Sequence, residues 1–197
     1  MMFVGQFPVP TDGPTSFAYL FVTDDPEAMA VTFESEAGEN ALLLFFAVGS
    51  AVFGFDDIGP VGVALAFGPV LLALAYAVGP VSGCHGNPAV TLGVLLSGAI
   101  GPREAAGYVG AQLVGAALAG GALRLVVAVG GVSDRTDALG TNSWGPTVNG
   151  FGTFLVEVLL TFLLVLVVLM VTRTDAAPVS RDVDPTTAAP ETARDVP

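Results

Sequence analysis

The sequence predicts an all-α membrane protein: a helical bundle with four membrane-crossing helices and one re-entrant half-helix. Three observations predict it. Hydrophobic residues make up 53% of the 197-residue chain, and mean hydropathy is +0.75. Apolar runs of spanning length recur along the chain, separated by polar or Gly/Pro-rich breaks. Between two of them lies Ser82-Gly83-Cys84-His85-Gly86-Asn87-Pro88-Ala89-Val90-Thr91-Leu92-Gly93. There a Gly-rich loop leads into a helix start, because Asn87 can cap and Pro88 fits the first turn, where its missing N–H costs nothing. The apolar run that follows, Val90 to Ile100, is too short to cross a bilayer. Irregular backbone at membrane depth is tolerated where protein buries it or where it lines a water-filled cavity. The segment therefore reads as part of a pore.

The elements follow in order. Residues 1–35 mix Pro, Gly, aromatic and acidic residues without helical period and are expected to form a poorly ordered extension. The membrane domain is expected over 36–173. Its first span covers Ala41 to Phe55, with helix reaching back to about Ala37 and with Glu36 and Glu39 at its start. The second covers Gly59 to Pro80, broken at Gly68-Pro69. The re-entrant loop and half-helix occupy 81–100. Gly101-Pro102 breaks the chain before a third span, about Arg103 to Val129. A polar loop from Gly130 to Gly150 precedes the fourth and most apolar span, Phe151 to Val171. Residues 174–197 are an acidic Ala/Pro/Thr tail that cannot form a core and is expected to be disordered.

Charge narrows the function classes. The net charge is −12 and no residue is lysine. That balance disfavours nucleic acid and anionic lipid as partners and suits very high salt. Cys84 is the only cysteine, so no internal disulfide can form. No zinc spacing, phosphate-cradling loop or nucleophile elbow is present, so neither an enzyme, a metal site nor a cofactor is expected. Arg103, Arg173, Arg181 and Arg194 share one side, against Arg135 on the other, if both termini are cytoplasmic. A weak internal similarity links Glu36-x-x-x-Asn40-x-Leu42-Leu43-Leu44 to Glu157-x-x-x-Thr161-x-Leu163-Leu164-Val165. With three spans between them the two helices run in opposite directions, as inverted repeats do. Chance likeness between Leu-rich helices is the alternative.

These residues together resemble the aquaporin, or major intrinsic protein, family. Three stretches between about Glu36 and Arg173 carry the likeness. They are Val63-Ala64-Leu65-Ala66-Phe67-Gly68 with Ala75-Tyr76-Ala77-Val78-Gly79, the loop Val81 to Gly93, and Phe154-Leu155-Val156-Glu157 through Thr161-Phe162-Leu163-Leu164. The resemblance implies two inverted repeats whose half-helices meet at the bilayer centre. The sequence supplies the first repeat and one helix of the second, so a truncated form is expected, with one Asn-Pro-Ala motif and without the arginine that follows the second. Glu39 stands where the family's first helix usually has Gly, and Cys84 where Ala or Gly is usual.

The resemblance also assigns expected roles. Asn87, with Pro88 and Ala89, would present a donor to a pore at the positive end of a half-helix, where it orients water and disfavours cations. The alternative is a plain helix cap. His85 would line the vestibule; the alternative is a loop histidine bonded to local backbone. Phe67 matches the second-helix member of an aromatic constriction and resembles water-selective members; the alternative is a lipid-facing or packing ring. Glu157, and less firmly Glu36, would accept hydrogen bonds from signature-loop backbone, and Gln112 would hold a helix or loop. The expected function is passive water transport through a channel in the cell membrane, with the lipid bilayer, water or small neutral solutes, and a homo-tetramer as partners. The alternatives are a nonconducting truncated protein or a fragment needing a second half, and a facilitator for glycerol or another small neutral solute.

Overall fold

The computed structural model describes residues 26–145 and 147–172. The expected N-terminal extension up to residue 25 and the expected acidic tail lie outside the described residues. Five α-helices follow in order: α1 (Pro26–Leu43), α2 (Gly49–Ser82), α3 (Pro88–Leu96), α4 (Pro102–Gly130) and α5 (Gly150–Thr172), with a π-helical turn, Leu44–Val48, joining α1 to α2. Among the described residues, three helical stretches are long and apolar enough to cross a membrane: Pro26–Ser82, Pro102–Gly130 and Gly150–Thr172.

The first stretch holds two passes. Its 57 residues would reach ~85 Å as one straight helix, far beyond a ~30 Å hydrocarbon core. Gly59 interrupts it with φ 61 and ψ −176, a backbone conformation that a side chain resists and glycine accepts. Pro60 then opens the second limb from the first helical turn, where proline is at home. The residues just after Ser82 hydrogen-bond to Glu36 and Asn40, so the chain doubles back at Gly59.

Two expectations do not hold. α1 begins at Pro26, so residues 26–35 are helix and not extension, and Glu36 and Glu39 lie well inside a span. Pro26 and Glu27 suit a first turn, where a missing N–H is free and an acid meets the positive helix end. Gly68-Pro69 does not break the second limb; the break falls at Gly59-Pro60. Pro69 is carried within the helix, as membrane helices tolerate when neighbours or local adjustment accommodate the freed carbonyl.

α1 and α4 run parallel and form the centre of the bundle. Gly110 faces the ring of Phe33, Gly115 faces Ala37 and Asn40, and Gly49 faces Leu123. Residue numbers rise together on both sides of this seam. At Gly115 an added Cβ would collide with the Ala37 carbonyl oxygen and lie 2.8 Å from Asn40 Cβ. Glycine is what lets the two backbones approach, which is how membrane helices gain packing without a hydrophobic drive between them. A small apolar cluster of Ile100, Ala105 and Tyr108, with Val94 and Leu95 against it, packs the start of α4 on the end of α3.

The polar segment after α4 returns to the Gly59 end of the first pass. Arg135 N donates to Val52 O at 2.8 Å, and the Arg135 guanidinium meets Asp56 at 3.3 Å. α5 then starts at Gly150 and packs on α3, where Gly93 faces Val165 and Leu169. No residue of α5 is buried.

Candidate functional site: the signature loop and its polar cradle

α2 ends in a left-handed Gly83 (φ 81), whose N–H bonds Gly79 O at 2.9 Å. Cys84 (φ 53) and Gly86 (φ 55) are left-handed as well. A left-handed non-glycine costs roughly 1–2 kcal/mol, so the loop needs outside support. α1 supplies it. Glu36 Oε1 accepts from Gly86 N at 2.8 Å, and its Oε2 accepts from His85 N at 3.3 Å. Asn40 Nδ2 donates to Gly86 O at 2.9 Å. Glu39 Oε1 accepts from the Cys84 thiol at 3.0 Å. Glu36, Glu39 and Asn40 share one helix face, so three α1 side chains read three consecutive loop residues. A Cβ at Gly86 would come within 2.6 Å of Glu39 Oε1, so a side chain there would displace the Glu39 carboxyl group and add backbone strain.

α4 closes the cradle from the other side. Gln112 Nε2 donates to Glu36 Oε1 at 2.7 Å and to Thr91 Oγ1 at 3.0 Å. Tyr108 OH donates to Ser82 O at 2.6 Å. Glu36 is 0% and Gln112 2% exposed. A buried carboxylate is costly unless its lone pairs are satisfied, and Glu36 accepts three N–H donors. Hydrogen bonds to a charged group contribute roughly 1.5–3 kcal/mol each.

Asn87 caps α3. Its backbone is extended (φ −156, ψ 130), its Oδ1 accepts from Ala89 N at 2.8 Å, and its carbonyl accepts from Thr91 N at 3.0 Å. Pro88 occupies the first helical turn. Because the cap uses the oxygen of the amide, the NH2 group is left as a donor; it bonds no other described side chain or backbone group. α3 has 9 residues, ~14 Å of helix and so about half a bilayer core. Its positive end carries Asn87.

The expected site residues divide. Asn87, Pro88 and Ala89 form the N-terminus of the half-helix, and Glu36 and Gln112 hold the loop behind it. His85 stands differently from its expected place in a pore lining: it is 7% exposed, its Nδ1 lies 3.1 Å from Thr91 Oγ1, and its ring stacks on Tyr108 at 4.1 Å. It is a packed part of the cradle because Tyr108 and Thr91 flank it from two helices. Phe67 lies on the second limb of α2 with 38% exposure. Glu157, expected as the firmer of the two braces, is exposed on α5 and makes no hydrogen bond to this loop. Glu36 is the acid that does.

Sequence reasoning missed Glu39, Asn40, Ser82, Thr91 and Tyr108. Their signal was spacing: Glu36/Asn40, Tyr108/Gln112 and Asn87/Thr91 are i,i+4 polar pairs within apolar surroundings, each forming one face of a helix. The seam residue Gly115 carried no such mark among neighbouring glycines.

A buried polar cradle that fixes a glycine-rich loop and a half-length helix among apolar spans defines a helical membrane protein with a re-entrant segment. The family model described as major intrinsic protein matches residues 28–186, and the chain belongs to that family. It is 38% identical over 135 residues to Aquaporin Z of Rhodopseudomonas palustris, covering 64% of this chain and 56% of that protein. It is 37% identical over 134 residues to Glycerol uptake facilitator protein-like 6 of Lactiplantibacillus plantarum, covering 68% and 60%. It is 35% identical over 149 residues to Aquaporin Z of Bradyrhizobium diazoefficiens, covering 72% and 62%. The chain thus spans 56–62% of the length of these relatives.

Proposed function

We propose that this membrane protein passes water passively across the cell membrane, with Asn87, Pro88, Ala89 and Phe67 contributing its pathway and Glu36 and Gln112 holding the loop in place. The observation that carries the reading is the divided amide of Asn87. Its oxygen is spent on Ala89 N, and its NH2 remains as a donor at the positive end of α3. A donor beside a positive helix end takes a water by its oxygen and disfavours cations. Both termini are read as cytoplasmic from the arginine distribution, and a tetramer is the assembly the family resemblance favours. The similarity to a glycerol uptake facilitator-like protein supports a second reading, passage of glycerol or another small neutral solute.

The test is stopped-flow osmotic shrinkage of proteoliposomes bearing this chain, beside Asn87→Asp and empty vesicles, with a parallel glycerol influx arm. Asp also caps helices well, so the variant changes charge with little loss of cap. Shrinkage several-fold faster than empty vesicles, with low activation energy and altered by Asn87→Asp, supports water passage. Fast glycerol influx with slow shrinkage moves the reading to a solute facilitator. Neither, with insertion verified, means that these elements do not conduct by themselves.

A further inference from the structure

The cradle contains a second acid that the loop-holding role does not use fully. Glu36 and Glu39 lie three residues apart on one face of α1, 0% and 1% exposed. Both carboxyl groups close on one loop residue: Glu36 Oε1 accepts from Gly86 N at 2.8 Å, and Glu39 Oε1 lies 2.6 Å from where a Cβ on Gly86 would stand. Glu36 has three N–H donors on its two oxygens. Glu39 has one thiol donor on Oε1, and its buried Oε2 has no hydrogen-bond partner among the described residues. An orphaned buried oxygen on a carboxylate facing another carboxylate is among the most expensive arrangements a bundle can hold. Among the described residues no arginine relieves it: Arg103, Arg124 and Arg135 are all exposed. The other groups facing the pair are Asn40 from α1, Cys84 and His85 from the loop, Thr91 from α3, and Tyr108 and Gln112 from α4.

We infer that the Glu36–Glu39 pair is a proton-binding site, with one proton carried on Glu39 and shared with the Glu36 carboxylate. This single addition resolves the geometry. The orphan oxygen becomes a donor, the facing oxygens become a hydrogen-bonded pair, and one negative charge replaces two. Glu36 keeps both oxygens as acceptors for the His85 and Gly86 N–H groups. Glu39 is therefore a positioning residue for the loop. When the proton leaves for bulk solvent at high pH, the second charge opposes Glu36 directly beneath Gly86, and the loop loosens.

The test uses the full chain in proteoliposomes and does not read transport, so its outcome is independent of water passage. The first readout is infrared difference spectroscopy between wild type and Glu39→Gln near neutral pH. A carboxylic-acid C=O band present in wild type, shifted in heavy water and missing from the variant, is expected. The second is amide hydrogen exchange at His85 and Gly86, taken as the ratio of wild type to Glu39→Gln at each pH. That ratio should rise about tenfold between neutral and strongly alkaline pH, because only wild type can gain the second charge. Glu39→Gly, which removes the carboxyl group altogether, replaces Glu39→Gln in both readouts if the latter does not fold. An acid band unchanged in both variants, or missing from wild type because His85 carries the proton instead, overturns the proposal. A pH-independent exchange ratio overturns the loop-positioning role.

Discussion

Glu36 on α1 and Gln112 on α4 are 76 residues apart in the chain and 2.7 Å apart in the bundle. Around this contact α1, the signature loop and α4 share one carboxylate, and Gln112 ties them to α3. Gln112 Nε2 spends both of its hydrogens there, one on Glu36 and one on Thr91. Four segments distant in sequence are thereby fixed by two side chains.

Replacing Glu36 with Gln should lower stability by roughly 2–4 kcal/mol, because an amide NH2 would face donors that now meet oxygen. Gln112→Ala should cost roughly 1–3 kcal/mol by stranding donors' partners on both sides. Denaturant unfolding in micelles, followed by far-UV circular dichroism, measures both. Equal, small effects would mean that the contact is not the keystone described.

Gly115→Ala should destabilise the α1–α4 seam by roughly 1–3 kcal/mol, since the obstruction is the Ala37 backbone, which cannot rotate away. Gly107→Ala serves as its control. No atom lies within 4 Å of a Cβ added at Gly107, so there the gain in helix propensity, up to ~1 kcal/mol, should dominate. Opposite signs in the same unfolding assay are the expected outcome.

Asn87→Ala should cost about 1 kcal/mol through loss of the α3 cap, whereas Asn87→Asp should cost less. If conduction falls in both variants while stability falls only in the first, the side chain acts on what passes and not merely on the helix. Comparing melting in micelles with shrinkage rates separates the two.

Asp134 orders the polar segment after α4. It accepts from Thr136 Oγ1 at 2.6 Å, Thr136 N at 2.8 Å and Leu139 N at 2.7 Å. The Thr136 hydroxyl above all, and then the backbone N–H groups, hold its carboxyl below the ordinary carboxylate range. A lowered value in the folded state means that the stabilisation is present above the unfolded value and lost as pH falls through the folded one. Amide protection at Leu139 should therefore persist through the neutral and mildly acidic range and disappear only in strong acid. Asp134→Ala should remove it at every pH.

The Arg135–Asp56 pair should matter little. Its side chains are 46% and 61% exposed, and such pairs contribute less than ~1 kcal/mol. Arg135→Ala should leave the segment attached, because the bond from Arg135 N to Val52 O belongs to the backbone. Limited proteolysis between residues 131 and 140 checks this.

The bundle was largely legible in the sequence because apolar length and Gly/Pro punctuation determine where lipid-crossing helices can lie. The start of α3 at Pro88 followed from proline's place in a first helical turn, and the start of α4 from the Gly101-Pro102 break. The start of α1 was hidden, since Glu34, Glu36 and Glu39 make its early turns look interfacial. Only tertiary contact shows that Glu36 and Glu39 turn inward. The Gly68-Pro69 pair misled for the converse reason: a proline inside a membrane helix need not end it. The braces were misordered because Glu157 sits in the stretch of clearer family likeness, whereas what recruits an acid is the set of N–H groups facing it. Those groups, at His85 and Gly86, become visible only once the loop is folded.

α5 has a different standing from the rest. Its side chains make no long-range hydrogen bond among the described residues, and its footing on the bundle is Gly93 against Val165 and Leu169. Hydrocarbon tails solvate a leucine-rich helix about as well as another helix does. Docking there is decided by shape alone, at the width of one missing methyl group. Glycine 93 thus acts as a keyhole for assembly. Any side chain placed at residue 93 would close that notch to Val165 and take away the footing of α5 on α3.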